Sequence, residues 1–158
     1  MYMNGGPVSW HSRKAKSVAL STAESEIAAA TGAARDVVAA REMLRQMHAE
    51  QKGPTTLHED NQACIYMSED INSSVTSRSK HIATRFFWLR EQIQADRLTM
   101  QYCPTDQMIA DMFTKSLPLA TFKRLRDCVV TDCELNTTIP DKPYFNSDES
   151  DILIKFER

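Results

Sequence analysis

The sequence predicts a mixed α/β domain followed by an acidic tail. Two observations carry this reading. After an initial hairpin, short β-rich runs alternate with stretches of helical period. Near residue 130 the composition then turns polar and turn-rich. The 158 residues are 42% hydrophobic, enough for one core.

The elements follow in order. Residues 8–11 and 17–21 read as strands around the basic turn "SRKAK", which places Arg13, Lys14 and Lys16 at a hairpin tip. A long Ala-rich helix runs from Thr22 to about Ala49 and is ended by "KGP". A strand "TTLHE" follows, then a helix over 61–67 and a loop "DINSSVTSRS". Residues 81–96 form an aromatic-rich helix. One face carries Phe86, Leu89 and Ile93, and another carries Phe87, Arg90, Glu91 and Gln94. Residues 98–103 read as a strand, "TDQMIADMFTK" as a helix with Met108, Ile109, Met112 and Phe113 inward, and 118–130 as a last helix. Residues 1–130 are thus one domain. Residues 131–158 are a mobile tail with a short strand at 152–156. The tail holds seven acids and three bases, a net of −4; the whole chain is −2, so the body is +2.

Composition excludes little but orders the alternatives. Cys64, Cys103, Cys128 and Cys133 form no C-x-x-C pair, which predicts free thiols in a reducing, intracellular setting. No apolar run approaches the roughly 20 residues of a membrane span, and the first residues show no signal-peptide pattern.

The acids differ by position. Ser21 and Glu24 have capping-box spacing, which predicts a cap and solvent role for Glu24. Glu26 heads an apolar line through Ala30, Ala33, Val37, Ala40, Leu44 and Met47. It either reaches solvent at the helix end or serves as a ligand or acid/base group. Asp60 ends a strand, where α/β sheets gather ligands, and is equally an N-cap candidate. Asp111 sits at the edge of an apolar face, and periodicity leaves its role open. For Trp10 and Trp88, core packing outweighs base stacking.

Four stretches then occur in order: "GGPVSWHSRKAKSVALSTAESEIAAA", "HEDNQACI", "SRSKHIATRFFWLRE" and "CPTDQMIADMFTKSLP". Over 5–130 the chain resembles the ribonuclease H module of copia-type retrotransposon Pol polyproteins. The resemblance implies a ribonuclease H-like mixed sheet flanked by helices. It also implies carboxylates holding two Mg²⁺ ions, with Glu26, Asp60 and Asp111 as three of four catalytic and metal ligands. Such ions hold hard oxygen ligands and activate water for in-line attack on phosphate. The implied reaction is hydrolysis of RNA in an RNA/DNA hybrid, beside the reverse transcriptase and integrase portions of a polyprotein. The implied place is a cytoplasmic particle or the nucleus, with no membrane partner. Arg13, Lys14, Lys16, Arg78, Lys80 and Arg85 are the candidate phosphate contacts.

The chain departs from the family pattern. Residues 1–23 hold no Asp or Glu, so the family's first metal-binding Asp and its central first strand have no counterpart here. Ala83 follows "KHI" where the family has an acid, and Ser116 replaces a proline. The expectation is a fragment with little or no ribonuclease H activity and low stability. Its alternatives are a non-catalytic remnant that binds nucleic acid weakly and a purely structural or interaction domain.

Overall fold

The computed structural model describes residues 1–3, 6–10, 12, 22–69, 80–130 and 152–153. Within them the chain is mixed α/β, with four α-helices, two 3₁₀ segments, a small hairpin and a three-stranded parallel sheet.

The hairpin pairs β1 (Tyr2–Met3) with β2 (Gly6–Pro7). It lies earlier than expected. Asn-Gly, the pair that best suits a two-residue hairpin, stands between these strands in the sequence. Val8, Ser9 and Trp10 belong to no strand; the Val8 N–H instead donates to the Met1 carbonyl at 2.9 Å. The expected second strand and the basic tip with Arg13, Lys14 and Lys16 lie outside the described residues.

The long helix α1 (Thr22–Gln46) ends three residues before the expected Ala49. It spans about 37 Å at 1.5 Å per residue. Its end is a Schellman turn. His48 N–H donates to Arg45 C=O at 3.1 Å, and Ala49 N–H donates to Leu44 C=O at 2.9 Å. His48 takes the left-handed conformation this turn requires, at φ 60°. Arg41 then ties the following loop to the sheet. Its guanidinium donates to the carbonyls of Gly53 (2.7 Å) and Gln51 (3.1 Å) and to the Thr55 hydroxyl (2.9 Å).

The strand β3 (Thr55–Glu59) matches its expected bounds and is buried at all five residues. A strand buried on both faces usually reads as an apolar run; "TTLHE" does not. It is the middle of the sheet. The strand β4 (Leu98–Tyr102) pairs parallel with it along its whole length, and β5 (Ile152–Leu153) pairs parallel on its other edge. The remaining tail residues, for which mobility was expected, lie outside the described residues. β5 thus supplies a partner on this edge of β3.

Helix α2 (Gln62–Glu69) and helix α3 (Lys80–Gln94) complete the layer with α1. The core joins Ile27, Ala30, Ala33, Ala34 and Val37 of α1 to Leu57, Cys64, Phe86, Leu89, Leu98 and Met100. Alanines on α1 let α3 approach closely, and the Thr31 hydroxyl donates across to the Arg85 carbonyl at 3.4 Å. Arg90 is buried on α3. Its guanidinium lies 4.3 Å from the Phe86 ring centre and donates to the Met67 carbonyl at 2.9 Å in the last turn of α2. That carbonyl is one of the orphan acceptors every helix end presents. Trp88 packs on the core, whereas Trp10 is 67% exposed, against expectation.

The expected helix over "TDQMIADMFTK" is instead two 3₁₀ segments, Thr105–Gln107 and Ile109–Phe113. Met108 breaks them with an extended backbone, φ −70° and ψ 98°. Its side chain is fully buried, as is that of Ile109. Phe113, placed inward by the helical reading, is exposed. Helix α4 (Leu119–Asp127) follows and is linked back by the Arg124 guanidinium, which donates to the Asp106 carbonyl.

No helix among the described residues is long and apolar enough to cross a membrane.

Candidate functional site

The candidate carboxylates come from three places: the first turns of α1, the junction of β3 and α2, and the second 3₁₀ segment. Each meets a different local environment.

On α1, Glu24 does not take the solvent position expected of it. Glu24 is only 6% exposed, while Glu26 is half-buried. The reason is the choice of helical step. Glu24 leads through Ile27 to Thr31 and Ala34, all buried, rather than through Ala28 to Arg35. Ser21, the proposed cap, lies outside the described residues.

At the sheet's carboxyl edge, Asn61 is the N-cap of α2, not Asp60. The Asn61 Oδ1 accepts from Ala63 N–H at 3.0 Å and Cys64 N–H at 3.3 Å. That removes the capping explanation for Asp60. Asp60 Oδ2 instead accepts from the Thr105 hydroxyl at 3.2 Å, which ties this junction to the 3₁₀ region. Glu59, the last residue of β3, was missed by the sequence reading. It is buried, and its Oε1 accepts from the Asn61 N–H at 3.0 Å. The only sequence signal for it was its place at the end of a buried strand.

Cys64 joins two of these regions. Burial pushes its thiol well above the usual range, and the negative charges of Glu59 and Glu26 add to the effect. Glu26 at the start of α1 and Glu59 at the end of β3 thus both lie near this one buried thiol. Cys64, Cys103 and Cys128 are all free thiols; Cys133 lies outside the described residues. In the native protein at pH 8, iodoacetamide is expected to label Cys128, which is partly exposed, and to spare Cys64 until the chain is unfolded. Peptide mass spectrometry reads the outcome, and rapid native labelling of Cys64 would contradict this setting.

Asp111 is 1% exposed, unlike the edge position periodicity left open. Its Oδ2 lies 2.8 Å from the Lys115 ammonium, which comes from one turn further along the chain. The Lys115 N–H also donates to the Asp111 carbonyl at 2.8 Å.

Asp60 and Asp111 are thus engaged by different side chains, Thr105 and Lys115. Among the described residues, no three histidines, cysteines or acids are placed to hold a metal ion together. The donor set as it stands does not fit a shared pair of Mg²⁺ ions. Of the six basic candidates, Arg85 is described with its side chain and is exposed on α3. Arg13, Lys14, Lys16 and Arg78, and the side chain of Lys80, lie outside the described residues.

No family model matches the chain, and no solved structure matches it. Curated proteins do. A retrovirus-related Pol polyprotein from transposon TNT 1-94 of Nicotiana tabacum is 34% identical over 126 residues, covering 80% of this chain and 9% of the relative. The chain's homologues are retrotransposon Pol polyproteins. Another such polyprotein, from transposon RE2 of Arabidopsis thaliana, is 28% identical over 123 residues, covering 78% of this chain and 8% of the relative. The transposon Ty1-DR1 Gag-Pol polyprotein of Saccharomyces cerevisiae is 29% identical over 125 residues, covering 78% of this chain and 7% of the relative. The chain therefore spans less than a tenth of the length of these Pol polyproteins.

Proposed function

We propose that this retroelement-derived chain is a ribonuclease H-like module that does not cleave an RNA/DNA hybrid by itself. The similarity to Pol polyproteins supports the first half. So does the way the four motif stretches fall on successive elements: the start of α1, the β3–α2 junction, α3, and the 3₁₀ segments that follow β4. The observation that carries the second half is the engagement of two of the acids by other side chains. Asp60 is engaged by Thr105 and Asp111 by Lys115, and no three-ligand group forms among the described residues.

Two-metal phosphate hydrolysis needs both ions about 3.5–4 Å apart in a shared carboxylate shell. With that shell unassembled, Glu26, Asp60 and Asp111 are the inherited positions of a site rather than a working one. Within a polyprotein, the reverse transcriptase and integrase portions are the proposed neighbours, and a cytoplasmic particle or the nucleus is the proposed setting. The hybrid is the proposed ligand. Exposed Arg85 is a phosphate contact, with Arg13, Lys14, Lys16, Arg78 and Lys80 as further candidates.

The test is an end-labelled RNA/DNA hybrid incubated with the purified chain and Mg²⁺. No cleavage above a no-protein control is expected. Mg²⁺-dependent cleavage that Asp60→Asn abolishes would overturn the proposal.

A further inference from the structure

The buried strand β3 is paired unequally on its two edges. On one side β4 matches all five residues, from Thr55↔Leu98 to Glu59↔Tyr102. On the other, β5 matches two, Leu57↔Ile152 and His58↔Leu153. Because β3 is buried throughout, its backbone groups depend on protein partners.

The hydrogen bonds fix which residue serves which edge. Thr55 N–H donates to Arg97 C=O at 3.0 Å, and Cys103 N–H donates to Glu59 C=O at 2.9 Å. Thr55, Leu57 and Glu59 therefore turn their backbone groups toward β4. The alternation of a parallel ladder turns those of Thr56 and His58 toward β5. The register then sets Ile152 between that pair, its N–H toward the Thr56 carbonyl and its carbonyl toward the His58 N–H.

This partner is joined to the domain by a long stretch of chain. Residues 128–151, 24 in number, separate the end of α4 from β5. A two-residue strand makes few backbone bonds, each contributing about 0.5–1.5 kcal/mol net. The tail's net charge of −4 beside a body of +2 favours its return to the domain.

We propose that this edge of β3 is a strand-docking groove whose occupant is the chain's own C-terminal strand, held weakly enough to exchange with the same segment of a second copy. The groove takes an extended segment running parallel to β3, recognised through main-chain hydrogen bonds. Tethering gives the resident strand a high local concentration, so exchange stays limited while the tail can dock. When it cannot, the edge accepts the strand of a second copy, and two chains join by swapping that strand. The proposal stands whether or not the chain acts on nucleic acid.

The test uses the full chain and a fluorescent peptide with the sequence of residues 148–158. Fluorescence anisotropy is measured with the unsubstituted chain and with Ile152→Pro, which removes the N–H facing Thr56. The peptide is expected to bind Ile152→Pro at least tenfold more tightly than the unsubstituted chain. A peptide carrying the same proline is expected to bind neither. Equal affinity for the two folded chains, or no binding to either, overturns the proposal. If circular dichroism shows Ile152→Pro to be unfolded, the unsubstituted chain decides by amide exchange with the peptide in excess. Faster exchange at His58 on adding unlabelled proline peptide, or unprotected His58 beside protected Leu57 at the outset, counts against docking. Protection of both amides, with the fluorescent peptide displaced by an unlabelled copy, supports it.

Discussion

Phe86→Ala is expected to lower the unfolding free energy by about 3–5 kcal/mol, the usual cost of emptying a large aromatic site. Phe86 is the largest of the fully buried side chains and sits among Ile27, Leu57 and Leu89 in the core. Its loss opens a cavity between α1, α3 and the sheet. It also removes the ring beneath the buried Arg90 guanidinium, 4.3 Å away. A cation–π contact that is largely desolvated adds up to about 2 kcal/mol. Phe86→Leu keeps most of the volume but not the π face, so it isolates that second contribution. Urea unfolding followed by circular dichroism measures both. A loss below about 1 kcal/mol for Phe86→Ala would mean the site is not close-packed.

Lys115→Ala is expected to cost about 2 kcal/mol, because it leaves the Asp111 carboxylate buried without its ammonium partner. Breaking a fully buried pair costs about 3–5 kcal/mol; Lys115 is 42% exposed, so solvent reduces the loss. A double-mutant cycle with Asp111→Asn separates the pair from its surroundings. Neutralising Asp111 should recover part of the loss in the double variant, with coupling on the order of 1–2 kcal/mol. Additive losses in the same urea experiment would show that the pair contributes nothing and that Asp111 is held by its other neighbours.

The elements with a clean period were legible before the structure. "TTLHE" was bounded by turn residues, and the Ala-rich helix by "KGP"; both lie close to where they were expected. Two kinds of feature were hidden. One depends on which of two equivalent helical steps is buried, since i+3 and i+4 both keep a face; that decided Glu24 against Glu26. The other depends on tertiary demand. Met108 takes an extended backbone with its side chain in the core, which breaks a segment that reads as helical by period alone. The role of β5 was hidden for a related reason. A short strand was expected at 152–156, but its partner β3 is nearly a hundred residues earlier and no local pattern names it.

For the candidate site, sequence pattern supplied positions but not assembly. It singled out Asp60 at the end of β3, yet the capping task falls on Asn61, one residue later. It passed over Glu59, which is more deeply buried than Asp60 and acts on Cys64. Whether carboxylates converge depends on the path of the chain between elements, and no local spacing encodes that path.

The proposal that Glu26, Asp60 and Asp111 form no shared metal site is tested most directly by titrating Mn²⁺, a paramagnetic stand-in for Mg²⁺, into the ¹⁵N-labelled chain. An unassembled site predicts no concerted loss of the amide signals at these three residues when the metal is substoichiometric. Simultaneous broadening at all three, removed by Asp60→Asn and reversed by excess Mg²⁺, would contradict it and restore a shared metal site.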